Sequence, residues 1–180
     1  MFTLNLLPLG ILKVWLNEKI PFDLVSSKVK KEVFQVQREI VKNNFESIAL
    51  ELSLPIGGMI RHGALGIKFN SDYDDTLTVE IQEESSELYQ SSLVEKHDQV
   101  YKGIAPEFIP SIFEEIKGEI RDWKFGGKVL RISGACGKVG SSIIIFRSLI
   151  GLIMNILSRN NANLSEEEIK ELWSSSKFYK

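Results

Sequence analysis

The clearest strand pattern in the chain lies between residues 48 and 54, where every second position carries a large apolar side chain. The apolar positions are Ile48, Leu50, Leu52 and Leu54. Successive side chains of a strand point to opposite faces of its sheet, so this alternation predicts a strand. One face lies in the core and the other faces water or a smaller contact. The stretch from Pro55 to Gly58 ends the predicted strand.

Several shorter apolar runs predict further strands. These runs are Gly10–Leu16, Ala64–Phe69, Thr76–Gln82 and Lys128–Ile132. Six polar residues at 70–75 separate the second run from the third, which is typical of a hairpin turn. The acidic, serine-rich stretch 83–92 has no clear period and fits either a loop or a weak edge strand.

Three segments have helical patterns. Apolar side chains recur at helical spacing from Ile109 to Trp123, with Pro110 near the start, where a helix tolerates it, and Gly126-Gly127 at the end. Residues 143–157 are almost entirely apolar and predict a buried helix. Ser165 and Glu168 form a capping-box sequence that predicts the start of a last helix.

Residues 24–42 are ambiguous. Val25, Val29, Val33, Val36 and Ile40 recur at intervals of three and four, which favours an amphipathic helix. The alternation around residues 34–36 leaves a strand open. With a helix here, the order of elements is a sheet-forming region with helices before and after it, which predicts a single α+β domain over residues 1–180.

The composition says more about the cellular compartment of the protein than about its activity. The chain has one cysteine, Cys136, which cannot form an internal disulfide, and this favours a reducing, cytoplasmic location. The apolar N-terminus lacks a basic region and contains Pro8, so it does not resemble a signal peptide. The 143–157 segment contains Arg147 and is shorter than the ~20 residues that span a bilayer, so no membrane association is predicted. A net charge of −2 gives no bulk attraction for nucleic acid.

Candidate catalytic and metal-binding residues are few. His62 and His97 are interpreted as surface histidines, because the sequence shows no set of ligands at the spacing of a zinc site. The acidic clusters at 72–75 and 83–87 lack the pattern of a calcium loop. Cys136 lies beside Lys138 and before a predicted helix, a position that could lower the pKa of its thiol, but it has no evident base. No metal, cofactor or catalytic residue is predicted, and the chain is more easily interpreted as a non-enzyme.

The segment 133–142 is a second candidate site. Gly134, Gly137 and Gly140 follow a predicted strand and precede a helix, an order similar to the glycine fingerprint of dinucleotide-binding enzymes. Only 40 residues follow Gly140, and they predict helices rather than the later strand that would bind the ribose. A tight turn is the simpler interpretation, and dinucleotide binding stays an alternative.

Taken together, residues from about 45 to 157 resemble the fourth domain of translation elongation factor G. The segment Glu107–Ile112 is similar to the family's Glu-Tyr-Ile-Pro-Ala-Val helix start, and Ser141-Ser142 is similar to a Ser-Ser pair before its second helix. The glycine-rich segment 57–63 is similar to the family's first exposed loop. The second loop departs from the family, since Cys136 to Gly140 replaces a histidine and two aspartates. A P-loop is absent from the sequence.

This resemblance implies a two-layer sandwich, with helices on one face of a mostly antiparallel sheet, as in the second domain of ribosomal protein S5. The core would span 45–157, and 1–44 and 158–180 would be terminal extensions with extra helices. The resemblance implies a non-enzymatic module that contacts the ribosome or structured RNA through loops 57–63 and 134–142. Its candidate contact residues are Arg61, His62, Gly63, Gly137, Lys138 and Ser141. A protein-interaction domain without catalytic activity is the other alternative.

Overall fold

A computed structural model describes residues 1–6, 10–25, 27–38 and 41–176, without the side chain of Asp122. The strands are β1 (Phe2–Leu6), β2 (Gly10–Leu16), β3 (Val29–Gln35), β4 (Ser47–Ile56), β5 (Met59–Asp72), β6 (Thr76–Gln82), β7 (Val100–Lys102) and β8 (Gly127–Gly137). The helices are α1 (Ile109–Glu119), which continues as a 3-10 turn over Ile120–Asp122, α2 (Ile143–Arg159) and α3 (Glu166–Ser175).

The strands form one mixed sheet in the order β1-β2-β4-β5-β8-β6-β3, and β7 pairs with the end of β8. All pairings are antiparallel except that between β6 and β8. The connection between these two parallel neighbours contains α1, as a parallel pairing requires a long crossover. The prediction of an α+β fold with a mostly antiparallel sheet is confirmed.

The two faces of the sheet are covered differently. The alternating residues Ile48, Leu50 and Leu52 of β4 join the main core beneath α1 and α2, while Ala49 belongs to a second apolar cluster on the opposite face. Irregular segments around residues 20–24 and 89–94 cover that opposite face. The alternation predicted from the sequence is therefore confirmed. The sheet face opposite the helices packs against a smaller apolar cluster and is not exposed to solvent at this strand. Among the described helices, none is long and apolar enough to cross a bilayer.

Local sequence signals located several elements closely. The predicted strands at 10–16 and 76–82 match β2 and β6, and the apolar segment from residue 143 is α2. At the start of α3, the Glu168 amide donates to Ser165 Oγ at 3.3 Å and the Ser165 amide donates to Glu168 Oε2 at 2.7 Å. The predicted capping box is confirmed.

The prediction of a helix over residues 24–42 was wrong. The segment favoured as a helix over 24–42 contains strand β3, which pairs with β6 along seven residues, so the described N-terminal extension adds strands to both edges of the sheet rather than a helix. Its β-branched valines suit an edge strand better than a helix. Pro8 and Ile40 lie outside the described residues.

The predicted loops were also too long. Strand β8 continues through Gly134 to Gly137, so only residues 138–142 form a loop. A side chain at Gly134 would come within 2.6 Å of Ile104, and the glycine thus permits close packing inside a strand. At the other predicted loop, β4 and β5 leave only Gly57 and Gly58 between them, with φ of 61° and 78°. These left-handed values suit glycine and give a tight hairpin.

Candidate functional site

One end of the molecule carries a group of exposed aliphatic side chains from three segments. The hairpin between β4 and β5, the loop after β8 and the first turn of α2 each contribute members. They are Ile56, Met59, Ile60, Val139, Ile143 and Ile144, with exposed fractions between 41% and 64%. We call these six residues the apolar tip. Single exposed apolar side chains are common, but a group from three converging segments indicates a contact surface.

Hydrogen bonds hold the segments of the tip together. The His62 amide donates to the Gly140 carbonyl at 3.0 Å, and Ser141 Oγ donates to the His62 carbonyl at 2.9 Å. These bonds fix the loop after β8 against the start of β5. The two segments that the sequence predicted as neighbouring loops are in contact, although the first is mostly strand.

Of the six predicted contact residues, only two present cations outward. Lys138 is exposed, with its Nζ 5.1 Å from the centre of the Tyr101 ring, and Arg61 is partly exposed. Gly63 is buried beneath α2, where a side chain would come within 2.7 Å of Ile145.

Two more of the predicted contact residues, Gly137 and Ser141, are hydrogen-bonded to each other. The Gly137 amide donates to Ser141 Oγ at 2.8 Å. A side chain at Gly137 would collide with the Asp98 carboxylate, so this glycine, like Gly63, permits close packing within the chain. Ser141 holds the loop against β5 through its bond to the His62 carbonyl.

The backbone amides of the glycine loop already have acceptors within the chain. The amides of Val139 and Gly140 both donate to Asp98 Oδ2, at 3.0 and 2.9 Å, and the Lys138 amide donates to the Gln99 carbonyl. A phosphate-binding loop needs such amides free to point at its ligand. The carboxylate of Asp98 occupies this position, which counts against dinucleotide binding here.

A buried polar cluster lies behind the tip, on the sheet face opposite the helices. Its centre is Glu51 of β4, a fully buried carboxylate. His62 Nε2 lies 2.9 Å from Glu51 Oε1, the Leu93 amide donates to the same oxygen at 2.6 Å, and Tyr89 donates to Oε2 at 3.2 Å. Lys13 Nζ lies 3.7 Å from Oε2. The cluster thus joins β2, β4 and β5 to the segment 89–93 that covers them.

The charge of Glu51 is stabilised by these neighbours. Burial by itself would raise the pKa of this carboxyl, but the hydrogen bond and charge of His62, the Leu93 amide and the charge of Lys13 outweigh it, and the pKa is lowered. Glu51 therefore remains ionised inside the protein, as a buried charge with several partners can.

The cluster contains serine, histidine and glutamate but does not have the geometry of a catalytic triad. Ser92 Oγ lies 3.2 Å from His62 Nε2, the same nitrogen that faces Glu51. A triad requires the hydroxyl and the carboxylate on different ring nitrogens, so that one orients the ring while the other loses its proton. The side chains of Ser92, His62 and Glu51 are also buried. The arrangement is suited to holding a segment in place.

Two interpretations of single residues were wrong. His62 is not a surface histidine, since it is fully buried, and its side chain is therefore out of reach of a phosphate on the surface. Cys136 is buried in β8, and burial raises the pKa of its thiol to about 12 rather than lowering it. The Ala105 amide donates to its sulfur at 3.3 Å. A thiol so placed is unreactive.

Metal binding finds no support in the part of the chain that the structure describes. Among those residues, no three His, Cys, Asp or Glu side chains are grouped so that they could hold an ion.

Arg147 of α2, the one charge in the long apolar segment, has a carboxylate partner, since its Nε donates to Glu115 Oε2 at 3.1 Å.

Sequence reasoning missed the parts of the site that depend on tertiary pairing. Lys13 and Glu51 are opposite each other in the β2–β4 register, and each is a charge within an apolar strand, which was the available signal. Asp98 lies in an irregular segment and gave no signal. The apolar tip could have been suspected from the run Ile143-Ile144, which precedes the buried stripe of α2.

The chain matches no protein-family model, no curated protein and no solved structure.

Proposed function

We propose that this protein is a non-catalytic binding module, that its contact surface is the apolar tip, and that its partner is another protein. The observation that carries the proposal is the convergence of six exposed aliphatic side chains at one end of the sheet. Burying such surface is worth about 25 cal/mol per Å², and a partner that covers it gains this free energy. The other candidate sites support the same conclusion, because the glycine-loop amides are occupied and the Ser–His–Glu cluster is buried without triad geometry.

A protein partner explains the composition of the tip better than RNA does. Recognition of RNA uses cations for phosphates and aromatic or guanidinium planes for stacking on bases. The segments 55–61 and 138–144 contain two cations, Arg61 and Lys138, and no aromatic residue. Contact with the ribosome, which the resemblance to elongation factor G implies, remains a proposal. In that case the apolar tip would bind a ribosomal protein rather than ribosomal RNA.

A site-specific photocrosslinker tests the proposal directly. Placed at position 59 in living cells, it should give protein adducts, whereas the same group at position 73 should not. Tyr73 is a matched control because it is also exposed and follows β5 at its far end, about 45 Å away at the usual rise of a strand. Equal adducts at both positions, or none at either, would contradict the proposal.

Co-sedimentation with ribosomes at two salt concentrations separates the two partner classes. Contact through Arg61 and Lys138 with RNA would be salt-sensitive and lost in Lys138→Glu. Contact through the tip with a ribosomal protein would persist at high salt and be retained in Lys138→Glu. Pelleting that is salt-sensitive and lost in Lys138→Glu would contradict a protein partner and indicate RNA instead.

A further inference from the structure

The edge strand β3 has one side without a neighbouring strand. Among the strands that the structure describes, β3 pairs with β6 alone and lies at the end of the sheet order. Such an edge presents a row of backbone N–H and C=O groups to which another extended segment can pair. Strand β3 has seven residues, which is long enough for a continuous ladder. This edge shares no residue with the apolar tip.

The hydrogen bonds that flank β3 show which of its backbone groups face outward. The Glu83 amide donates to the Lys28 carbonyl at 2.9 Å, and the Val36 amide donates to the Asp75 carbonyl at 2.8 Å. Both pairs continue the β3–β6 register, in which bonded and non-bonded pairs alternate. Even-numbered residues of β3 therefore bond to β6, and the odd-numbered residues direct their N–H and C=O groups away from it. These outward residues are Val29, Lys31, Val33 and Gln35.

A groove of about 420 Å³ lies between this edge and the first turns of α1. Ile109, Pro110 and Phe113 supply its apolar wall, and Lys30 and Glu32 supply the wall on β3. Pro110 is exposed and Phe113 is partly exposed. An apolar cavity of about 150 Å³ holds benzene, so the groove has room for about two large side chains. Because side chains alternate along a strand, every second side chain of a segment added to β3 would enter this groove.

The two faces of β3 differ in charge. The buried ring of Phe34 lies 6.5 Å from that of Phe113, so the even-numbered side chains share the face of α1 and the groove. The odd-numbered side chains on the other face include Lys31 and no acid. Lys31 and Arg131 share the carboxylate of Glu80, at 2.6 and 3.2 Å, and their side chains stay 56% and 71% exposed. Two accessible cations on one carboxylate leave this face positive beside the free edge.

We propose that β3 and the groove beside α1 bind an extended segment of a partner protein as an added strand, and that this segment alternates apolar and acidic side chains. Its backbone pairs with the outward groups of β3, its apolar side chains fill the groove, and its acids face Lys31. In this mode of recognition, main-chain bonds give affinity and side-chain pockets give specificity. A second copy of β3 fits less well, because each β3 contributes two lysines and one glutamate.

The peptide acetyl-Asp-Val-Asp-Phe-Asp-Val-amide is a probe with this alternation. When it is titrated into the ¹⁵N-labelled protein, the amides of Val29, Lys31 and Val33 should shift saturably and gain protection from hydrogen exchange, because they become donors to the peptide. The amides of Lys30 and Glu32 should change less, since they already donate to β6. Saturable shifts confined to other parts of the protein, or no binding at millimolar peptide, would overturn the proposal.

A second peptide with lysine in place of each aspartate tests the charge preference. It should bind at least roughly tenfold more weakly, because its cations lie opposite Lys31. Lys31→Glu should reverse the order of the two peptides, which a change in stability alone would not do. Equal affinities of the two peptides for the wild-type protein would overturn the acidic character of the partner segment.

Val33→Pro removes one outward donor and leaves the bonds to β6 in place. Proline is tolerated on an edge strand where its nitrogen faces solvent, and unchanged exchange protection at Glu32 would show that β3 is intact. Val33→Ala keeps the donor and is the matched control. The proline variant should bind the acidic peptide at least roughly tenfold more weakly than the alanine variant.

A peptide N-methylated on the amides that face β3 removes bonds from the other side and should also lose binding to the wild-type protein. Full binding by the proline variant, or by the N-methylated peptide, would overturn strand addition.

Sedimentation equilibrium distinguishes a partner segment from a second copy of the chain. The free protein should be monomeric, and the outward amides of Val29 and Val33 should exchange rapidly before any peptide is added. A dimer in which these amides are already protected would overturn the partner segment and assign the edge to a second copy. The acidic peptide should also bind a protein whose apolar tip has been altered by Ile143→Glu and Ile144→Glu. Loss of binding in that variant would overturn the assignment of the peptide to the edge of β3.

Discussion

At the scale of single residues, Glu51 shows how a charge can be used inside an apolar sheet. Its carboxylate accepts hydrogen bonds from His62 on the neighbouring strand β5, and from Tyr89 and the Leu93 amide about 40 residues later in the chain. The charge thus fixes the segment near residue 90 on the sheet beside the tip. A buried charge with one partner removed is strongly destabilising, which makes the cluster testable.

We expect Glu51→Gln to lower the free energy of unfolding at pH 7 by about 3–5 kcal/mol, because it removes one member of a buried ionic cluster. Urea denaturation measures this change. Glu32→Gln is the control, since Glu32 is an exposed glutamate of the edge strand β3, and its substitution should change the free energy by less than about 0.5 kcal/mol.

The effect of Glu51→Gln on the free energy of unfolding should depend on pH, with a sign that follows from the pKa of Glu51. The pKa of Glu51 is lowered in the folded protein, so its contribution is complete above the usual carboxyl pKa near 4.5 and is lost as the pH falls through the folded value. The difference between wild type and Glu51→Gln should therefore narrow below about pH 4.5. A difference that stays constant from pH 7 to pH 3 would show that the charge of Glu51 does not stabilise the fold.

Cys136 is expected to be inert in the folded protein. With a pKa of about 12, its thiolate fraction at pH 8 is lower than that of a free cysteine by a factor of roughly a thousand. Reaction with a thiol-specific disulfide reagent should be correspondingly slow, and unfolding in guanidinium chloride should make it immediate. Rapid labelling of the folded protein would show that β8 opens at Cys136.

At the scale of elements, the cap of α3 gives the most local prediction. Ser165→Ala removes the hydroxyl that accepts from the Glu168 amide and should cost about 1 kcal/mol in the free energy of unfolding. Ser174→Ala is the matched control, because Ser174 is an exposed serine inside the same helix and its Oγ donates to the Lys170 carbonyl. Equal effects of the two substitutions would mean that the cap does not stabilise α3.

The elements that the sequence predicted well are those whose signals are local. The cap at Ser165, the alternation at 48–54 and the apolar run from Ile143 each depend on residues a few positions apart. The interpretation failed for 24–42 because the valine spacing fits a helix as well as a strand. The segment is a strand because it pairs with β6, which lies about 45 residues later in the chain. It failed again at 133–137, where the glycines suggested a loop, but Gly134 instead allows β8 to pack closely against Ile104. The tip itself combines segments about 80 residues apart, so only the tertiary structure shows that it exists.

At the scale of the whole molecule, the two ends of the long strands differ in chemistry. The end near residues 72–75 is acidic, whereas the end near Gly57 is apolar and bordered by Arg61 and Lys138. The polar cluster and the Asp98 carboxylate hold that second end together from inside, and they leave its outer side chains uncommitted. The exposed side chains of the tip can therefore be substituted by polar or charged residues without disturbing the core.

The double variant Ile143→Glu and Ile144→Glu uses this separation. Both side chains are exposed, and the first turn of α2 has no acidic residue, so glutamates there should interact favourably with the helix dipole and leave the free energy of unfolding unchanged or slightly higher. The same charges should abolish an apolar contact, and adducts from a photocrosslinker at position 59 should fall at least tenfold. Tyr73→Glu at the opposite end should leave the adducts unchanged. A stable double variant that still forms the adducts at full yield would show that the partner does not contact the apolar tip.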